Sequence, residues 1–133
     1  MAYITWSDIF SVGVPELDAA HQQLIAIINE FHDAQEQGAG VEKLFQVLNA
    51  LVAYAEQHFA DEERRLEEIH YPELLHHRRA HERLLREIFE LYGRYERAQA
   101  DATEEVMSFL KAWLIDHILG FDKKYEPHFA VSE

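Results

Sequence analysis

The chain has 133 residues, 48% of them apolar, with 5 Gly, 3 Pro and no Cys. This is room for one domain around a single core of ordinary size, and it leaves no disulfide framework and no thiolate metal site. A formal charge of -13 argues against nucleic acid, whose phosphates would be repelled at long range, and mildly favours a monomer.

Residues 1–16 show no helical period and contain Gly13 and Pro15, while Trp6, Ile9, Phe10, Val12 and Val14 point to an ordered arm packed on the body. The segment MAYITWSDIF lacks the basic region and apolar stretch of a leader, and no apolar run approaches the ~20 residues that cross a bilayer. A cytoplasmic protein that is not membrane-embedded is therefore expected. The first helix is expected over about 17–37, with Pro15 at an early turn position or Asp18 as cap, and a stripe of Leu17, Ala20/His21, Leu24, Ile27/Ile28 and Phe31. The sequence GAG at 38–40 marks a stop and a turn.

The second helix is expected over about 41–69, ended by the HYP at 70–72, because the residue before proline avoids the helical region. The third follows over about 72–98 and the fourth over about 102–122, joined by a polar link around 99–103 with Asp101 or Thr103 as cap. The fourth carries a seam of Val106, Leu110, Trp113 and His117; the tail beyond it holds Pro127 and is uninformative. Connections this short require alternating directions, so the fold expected is all-α, an antiparallel up-down-up-down four-helix bundle with an ordered N-terminal arm.

Two pairs in the middle of the chain carry the chemistry, His58 with Glu62 and His77 with His81. Four residues on an α-helix turn about 40° and rise ~6 Å, so each pair leaves one face a turn apart. That face is also the apolar one: Leu44, Leu48, Leu51, Ala55, His58, Glu62 and Leu66 step by threes and fours, as do Leu74, His77, His81, Leu84, Ile88, Leu91 and Tyr95. One inward histidine is readily satisfied as a neutral ring bonded to a backbone carbonyl. Three with a glutamate are costly to desolvate without a shared partner, and a metal ion is the most economical one.

The topology tests depth. From the first turn His21 lies about 18 residues back and His58 about 19 forward; from the last link His81 lies about 19 back and His117 about 17 forward, which at ~1.5 Å per residue puts them level. His32 shares the face of His21 but lies roughly three turns away, about 16 Å. His70 falls at a turn, His76 off the seam and His128 in the tail, and the stripe prefers His77 over His76 and Glu62 over Glu63. Asp122 is five residues after His117, about 140° around an ideal helix, so on spacing alone it reads as a solvent-exposed acid. The alternative is that Gly120 marks a bulge or loosened turn that brings it inward.

With His21, His58-x3-Glu62, His77-x3-His81 and His117-x4-Asp122 assembled, and with GVPELDAAHQQL and HILGFD at the two ends of the set, the chain resembles the hemerythrin family over nearly its whole length, in particular the single-domain bacteriohemerythrins. The resemblance implies two iron ions bridged by an oxo or hydroxo group and by two carboxylates, here Glu62 and Asp122. It gives His77, His81 and His117 to one six-coordinate iron, and His21 and His58 to the other, which keeps a position open for dioxygen. It also implies an oxygen pocket lined by Phe59, Trp113, Leu114 and Ile118, residues that ordinary core packing would equally explain. The function it implies is reversible dioxygen binding for carriage, storage or delivery, not an enzyme, with an oxygen-consuming enzyme as a conceivable recipient. Reduction of peroxide or nitric oxide, or oxygen or iron sensing, at the same site are the alternatives. The nitrogen and oxygen donors themselves would hold zinc or copper at least as tightly as ferrous iron.

Overall fold

The computed structural model describes residues 3–38, 40–98 and 103–132. It is all helical among the described residues, and four long helices form the expected bundle: α1 Pro15–Glu36, α2 Val41–Glu68, α3 Leu74–Ala98 and α4 Thr103–His117. α1 packs on α2 and α4, and α3 packs on the same two, so the helices form a closed ring. Each turns its apolar stripe inward. Leu24, Ile28 and Phe31 of α1 meet Leu44, Leu48 and Leu51 of α2, Ile88 and Leu91 of α3, and Val106 and Leu110 of α4 in the larger core. No helix among the described residues is long and apolar enough to cross a membrane.

The arm is pinned rather than draped. Asn29 accepts the amide of Ile4 at 2.8 Å and donates to its carbonyl at 2.9 Å, and Tyr3 stacks on His32 at 4.3 Å beneath the Lys111 ammonium. Phe10, Val12 and Val14 are buried, but Ile9, expected to pack on the body, is 61% exposed in a short 3-10 turn over Asp8–Phe10. Asp18 does not cap α1. Its carboxylate instead accepts the Val12 amide at 2.8 Å and the Ser11 hydroxyl at 2.6 Å, tying the arm back onto the helix that Pro15 opens.

The break between α2 and α3 has a fuller cause than the proline. His70 takes a left-handed conformation with φ 55, its amide bonds the Glu67 carbonyl at 3.0 Å, and the Tyr71 amide bonds the Leu66 carbonyl at 3.0 Å. This is a Schellman stop, with the customary apolar contact between its flanks supplied by Leu66 and Tyr71. The third helix consequently starts at Leu74 rather than near Pro72. Residues 99–102, including the candidate cap Asp101, lie outside the described residues, and Thr103 is already helical.

The largest departure from expectation is at the C-terminal end. α4 does not stop near 122: it passes through a π-helical turn, Ile118–Asp122, into a further helix, α5 Lys123–Ser132. Pro127 sits inside α5 and does not end it; the backbone bond it forfeits falls at the junction with the π turn, where the pattern is already changing. Tyr125 of α5 is fully buried and joins Val12, Val14, Leu17, Leu66 and Tyr71 in a second, smaller core. Between the two cores lies a layer of buried polar side chains.

Candidate metal centre

All four walls of the bundle contribute to that layer. His21 comes from α1, His58 and Glu62 from α2, His77 and His81 from α3, His117 from the end of α4 and Asp122 from the end of the π turn that follows, and all seven are buried. A π turn closes i→i+5 hydrogen bonds and holds more residues per turn than an α-helix, so residues five apart return towards one face. It resolves the position of Asp122, which is 1% exposed and lies 3.1 Å from His117 Nε2.

The two carboxylates divide the histidines into unequal sets. Glu62 Oε1 lies 2.7 Å from His77 Nε2 and 3.1 Å from His81 Nε2, while Oε2 lies 3.5 Å from His21 Nε2 and 3.4 Å from His58 Nε2. Asp122 repeats the division: Oδ1 is 3.1 Å from His77 and His117, and Oδ2 is 3.1 Å from His21. Ligand atoms of Glu62, His77, His81, His117 and Asp122 all fall within 4.8 Å of one another, as do those of His21, His58 and Glu62. One side thus offers three imidazoles and one oxygen from each acid; the other offers two imidazoles and the remaining oxygens.

The charges explain what such a cluster lacks. Burial alone would lower the histidine pKa values, yet the Asp122 and Glu62 carboxylates outweigh it, raising His21 to about 10 and His77 to about 9. Burial likewise lowers His81, and Glu62 and Glu63 more than reverse it. Burial would raise Glu62 and Asp122, but the ring of histidines holds both carboxylates below their ordinary range. His21 Nε2 and both Asp122 oxygens, inaccessible to water, nonetheless have no hydrogen-bond partner of acceptable geometry. Buried donors left so are the pattern of a site completed by an ion, and nitrogen and oxygen atoms without sulfur suit a first-row transition metal.

Phe59, Trp113, Leu114 and Ile118 are buried beside these histidines. With Leu24 they line a narrow crevice, too tight to hold a water molecule, bordered by His21, His58, His117 and Asp122. Phe59 also stacks on the His81 ring at 3.9 Å. The remaining histidines stay outside: His32 is taken up by Tyr3, and His70, His76 and His128 are exposed.

Two contributors escaped the sequence reading. Glu63, set aside in favour of Glu62, reaches across to His81 Nδ1 at 2.7 Å and fixes that ring. Tyr125, in the supposed tail, donates its hydroxyl to Glu62 Oε2 at 2.9 Å. Its spacing of three from Asp122 was the available signal, passed over because the stretch beyond 122 reads as an uninformative tail.

Comparison with known proteins places this arrangement. The family model described as hemerythrin HHE cation binding domain matches residues 12–129. Bacteriohemerythrin of Stenotrophomonas maltophilia (strain R551-3) is 35% identical over 127 residues, covering 94% of this chain and 80% of its own length. Myohemerythrin of Riftia pachyptila is 30% identical over 121 residues, covering 91% of this chain and 89% of its own. A crystal structure of wild-type hemerythrin superposes with a TM-score of 0.87 at 26% identity, over 97% of this chain and 99% of that one. The buried histidine and carboxylate layer is thus set in a chain that belongs to the hemerythrin family.

Proposed function

We propose that this chain binds dioxygen reversibly at a pair of non-haem iron ions, for carriage, storage or delivery of the gas. His77, His81 and His117 would hold one ion and His21 and His58 the other, with Glu62 and Asp122 bridging them and an oxo or hydroxo group completing the pair. The observation that carries the reading is the inequality of the two histidine sets around shared carboxylates. Equal sharing of both acids leaves the two-histidine side one protein donor short, and a position without a protein donor is where a small molecule enters. Iron, when bound, supplies electrons that the gas can borrow and return.

The protein's own part is to keep other reagents away. On the crevice side, the residues that are not candidate ligands are Leu24, Phe59, Trp113, Leu114 and Ile118. Apolar walls exclude water and offer no acid or base to drive the gas onward, which favours binding over catalysis. Five imidazoles with two carboxylates also carry less negative charge than the carboxylate-rich di-iron oxidases built on Glu-x-x-His pairs. Fewer anionic donors support the higher oxidation states less, which again favours a reversible binder. A single domain over 1–133, a monomer in the cytoplasm that hands dioxygen to an oxygen-consuming enzyme, completes the proposal.

The test is optical. Reduced, iron-loaded protein should develop a visible charge-transfer band in air that disappears when oxygen is removed, over repeated cycles. A band that never returns, or metal analysis giving one ion per chain, would overturn the reading; rapid consumption of peroxide or nitric oxide by the reduced protein would replace it with an enzyme.

A further inference from the structure

We infer that Tyr125 is a positioning residue for the bridge, holding Glu62 so that its Oε2 is presented to the two-histidine side. The inference rests on the two-ion reading above. Glu62 reaches the site on a side chain whose terminal torsion is broad and easily turned. Its Oε1 is held among His77 and His81 at 2.7 and 3.1 Å, whereas Oε2 stands farther from His21 and His58, at 3.5 and 3.4 Å. Among the described residues, the hydroxyl that donates to Oε2 is the Tyr125 phenol at 2.9 Å. Asp122 has no equivalent, both its oxygens being without a hydrogen-bond donor of acceptable geometry. The two bridges therefore differ in how firmly they are aimed.

Tyr125 can act as an anchor because it is itself immobile. It is fully buried, with its ring edge-on to Tyr71 at 6.4 Å and to Phe129 at 5.4 Å. The π turn that brings Asp122 inward sets the start of α5 so that Tyr125, three residues on, shares the inward face. Bridge and anchor are thus placed by one backbone device. The consequence is asymmetric. The three-histidine side keeps its imidazoles and Asp122 Oδ1 if Glu62 swings, whereas Oε2 is one of only four protein donors on the two-histidine side.

Stepwise titration of the full-length, metal-stripped chain with Co2+, followed by visible absorption and calorimetry, separates the possibilities. Wild-type protein should take two ions. Tyr125→Phe, which keeps the ring, should leave the tighter ion unchanged and weaken the second about tenfold or more, the usual cost of losing an outer-shell partner. Incorporating p-aminophenylalanine at position 125, which returns an N–H donor, should restore it. Tyr71→Phe alters the neighbour and leaves the Glu62 contact alone, so both affinities should hold. An unchanged second ion in Tyr125→Phe, an equal loss at both ions, or the same loss in Tyr71→Phe would each overturn the inference while leaving the two-ion reading intact. A wild-type chain that takes one ion would overturn both.

Discussion

Glu63 touches no candidate ligand oxygen, yet its carboxylate decides which way the His81 ring faces, through the 2.7 Å contact at Nδ1. It also pairs with Arg78 at 3.3 Å near the surface, an interaction that solvent weakens. Glu63→Ala should therefore lower metal affinity by about 10- to 100-fold, measured by competition with a chelator, while Arg78→Ala should leave it nearly unchanged; equal effects would mean that the surface pair, not ring orientation, matters. Leu114 is the complementary case, an apolar side chain 2% exposed against the histidines. Leu114→Ala should cost about 2–5 kcal/mol of stability in denaturant titrations, as for any buried leucine. If it also keeps the site dry, the oxygen-dependent band should decay severalfold faster in air; unchanged decay would reduce Leu114 to core packing. Among single residues, those on a regular stripe were readable because desolvating a histidine or glutamate there is expensive. Glu63 and Tyr125 were not, since a contact between helices leaves no trace in the spacing along either one.

At the scale of elements, the helices were legible wherever apolar residues repeat at 3.6, and their ends, the C-terminal one excepted, were legible to within a few residues. What was missed is where hydrogen bonding departs from the α pattern. The Schellman stop at His70 uses a left-handed histidine that carries no glycine signal, and the π turn over Ile118–Asp122 shows in the sequence only as an awkward spacing beside Gly120. That glycine invites the view that it creates the turn. The geometry argues otherwise: Gly120 has no positive φ, and a Cβ added there meets nothing within 4 Å beyond its own local helical backbone. Gly120→Ala should accordingly raise stability by about 0.5–1 kcal/mol, by restricting the unfolded chain, with two ions still bound per chain. Loss of the second ion would show that glycine is needed for the π geometry. Gly13 behaves oppositely, with φ +76 and a Cβ that would fall 3.2 Å from Glu126 Oε2, so alanine there is strained whatever the space.

For the whole molecule, the arrangement of one polar layer between two apolar cores sets how stability follows pH. In the metal-free protein His21 and His77 hold protons up to about 10 and about 9, against 6.5 for a free histidine. Their folded values are raised, so the stability they contribute is complete below about 6.5 and is lost as pH rises through 9 to 10. Glu62 and Asp122 are depressed, so theirs is present above the ordinary carboxylate range and is lost only in acid. The metal-free bundle should therefore be most stable just above the carboxylate range and should weaken progressively from about pH 6.5 to 10. A metal ion displaces the same protons, so its added stabilisation should grow across that interval. Thermal unfolding with a chelator and with saturating Zn2+, from pH 6 to 10, would show the two curves diverging. Substituting His21 and His77 together with glutamine should remove most of the slope from the metal-free curve. Parallel curves would mean that protons and metal do not compete for these nitrogens, and the polar layer would then be a self-satisfied network rather than a metal-binding one.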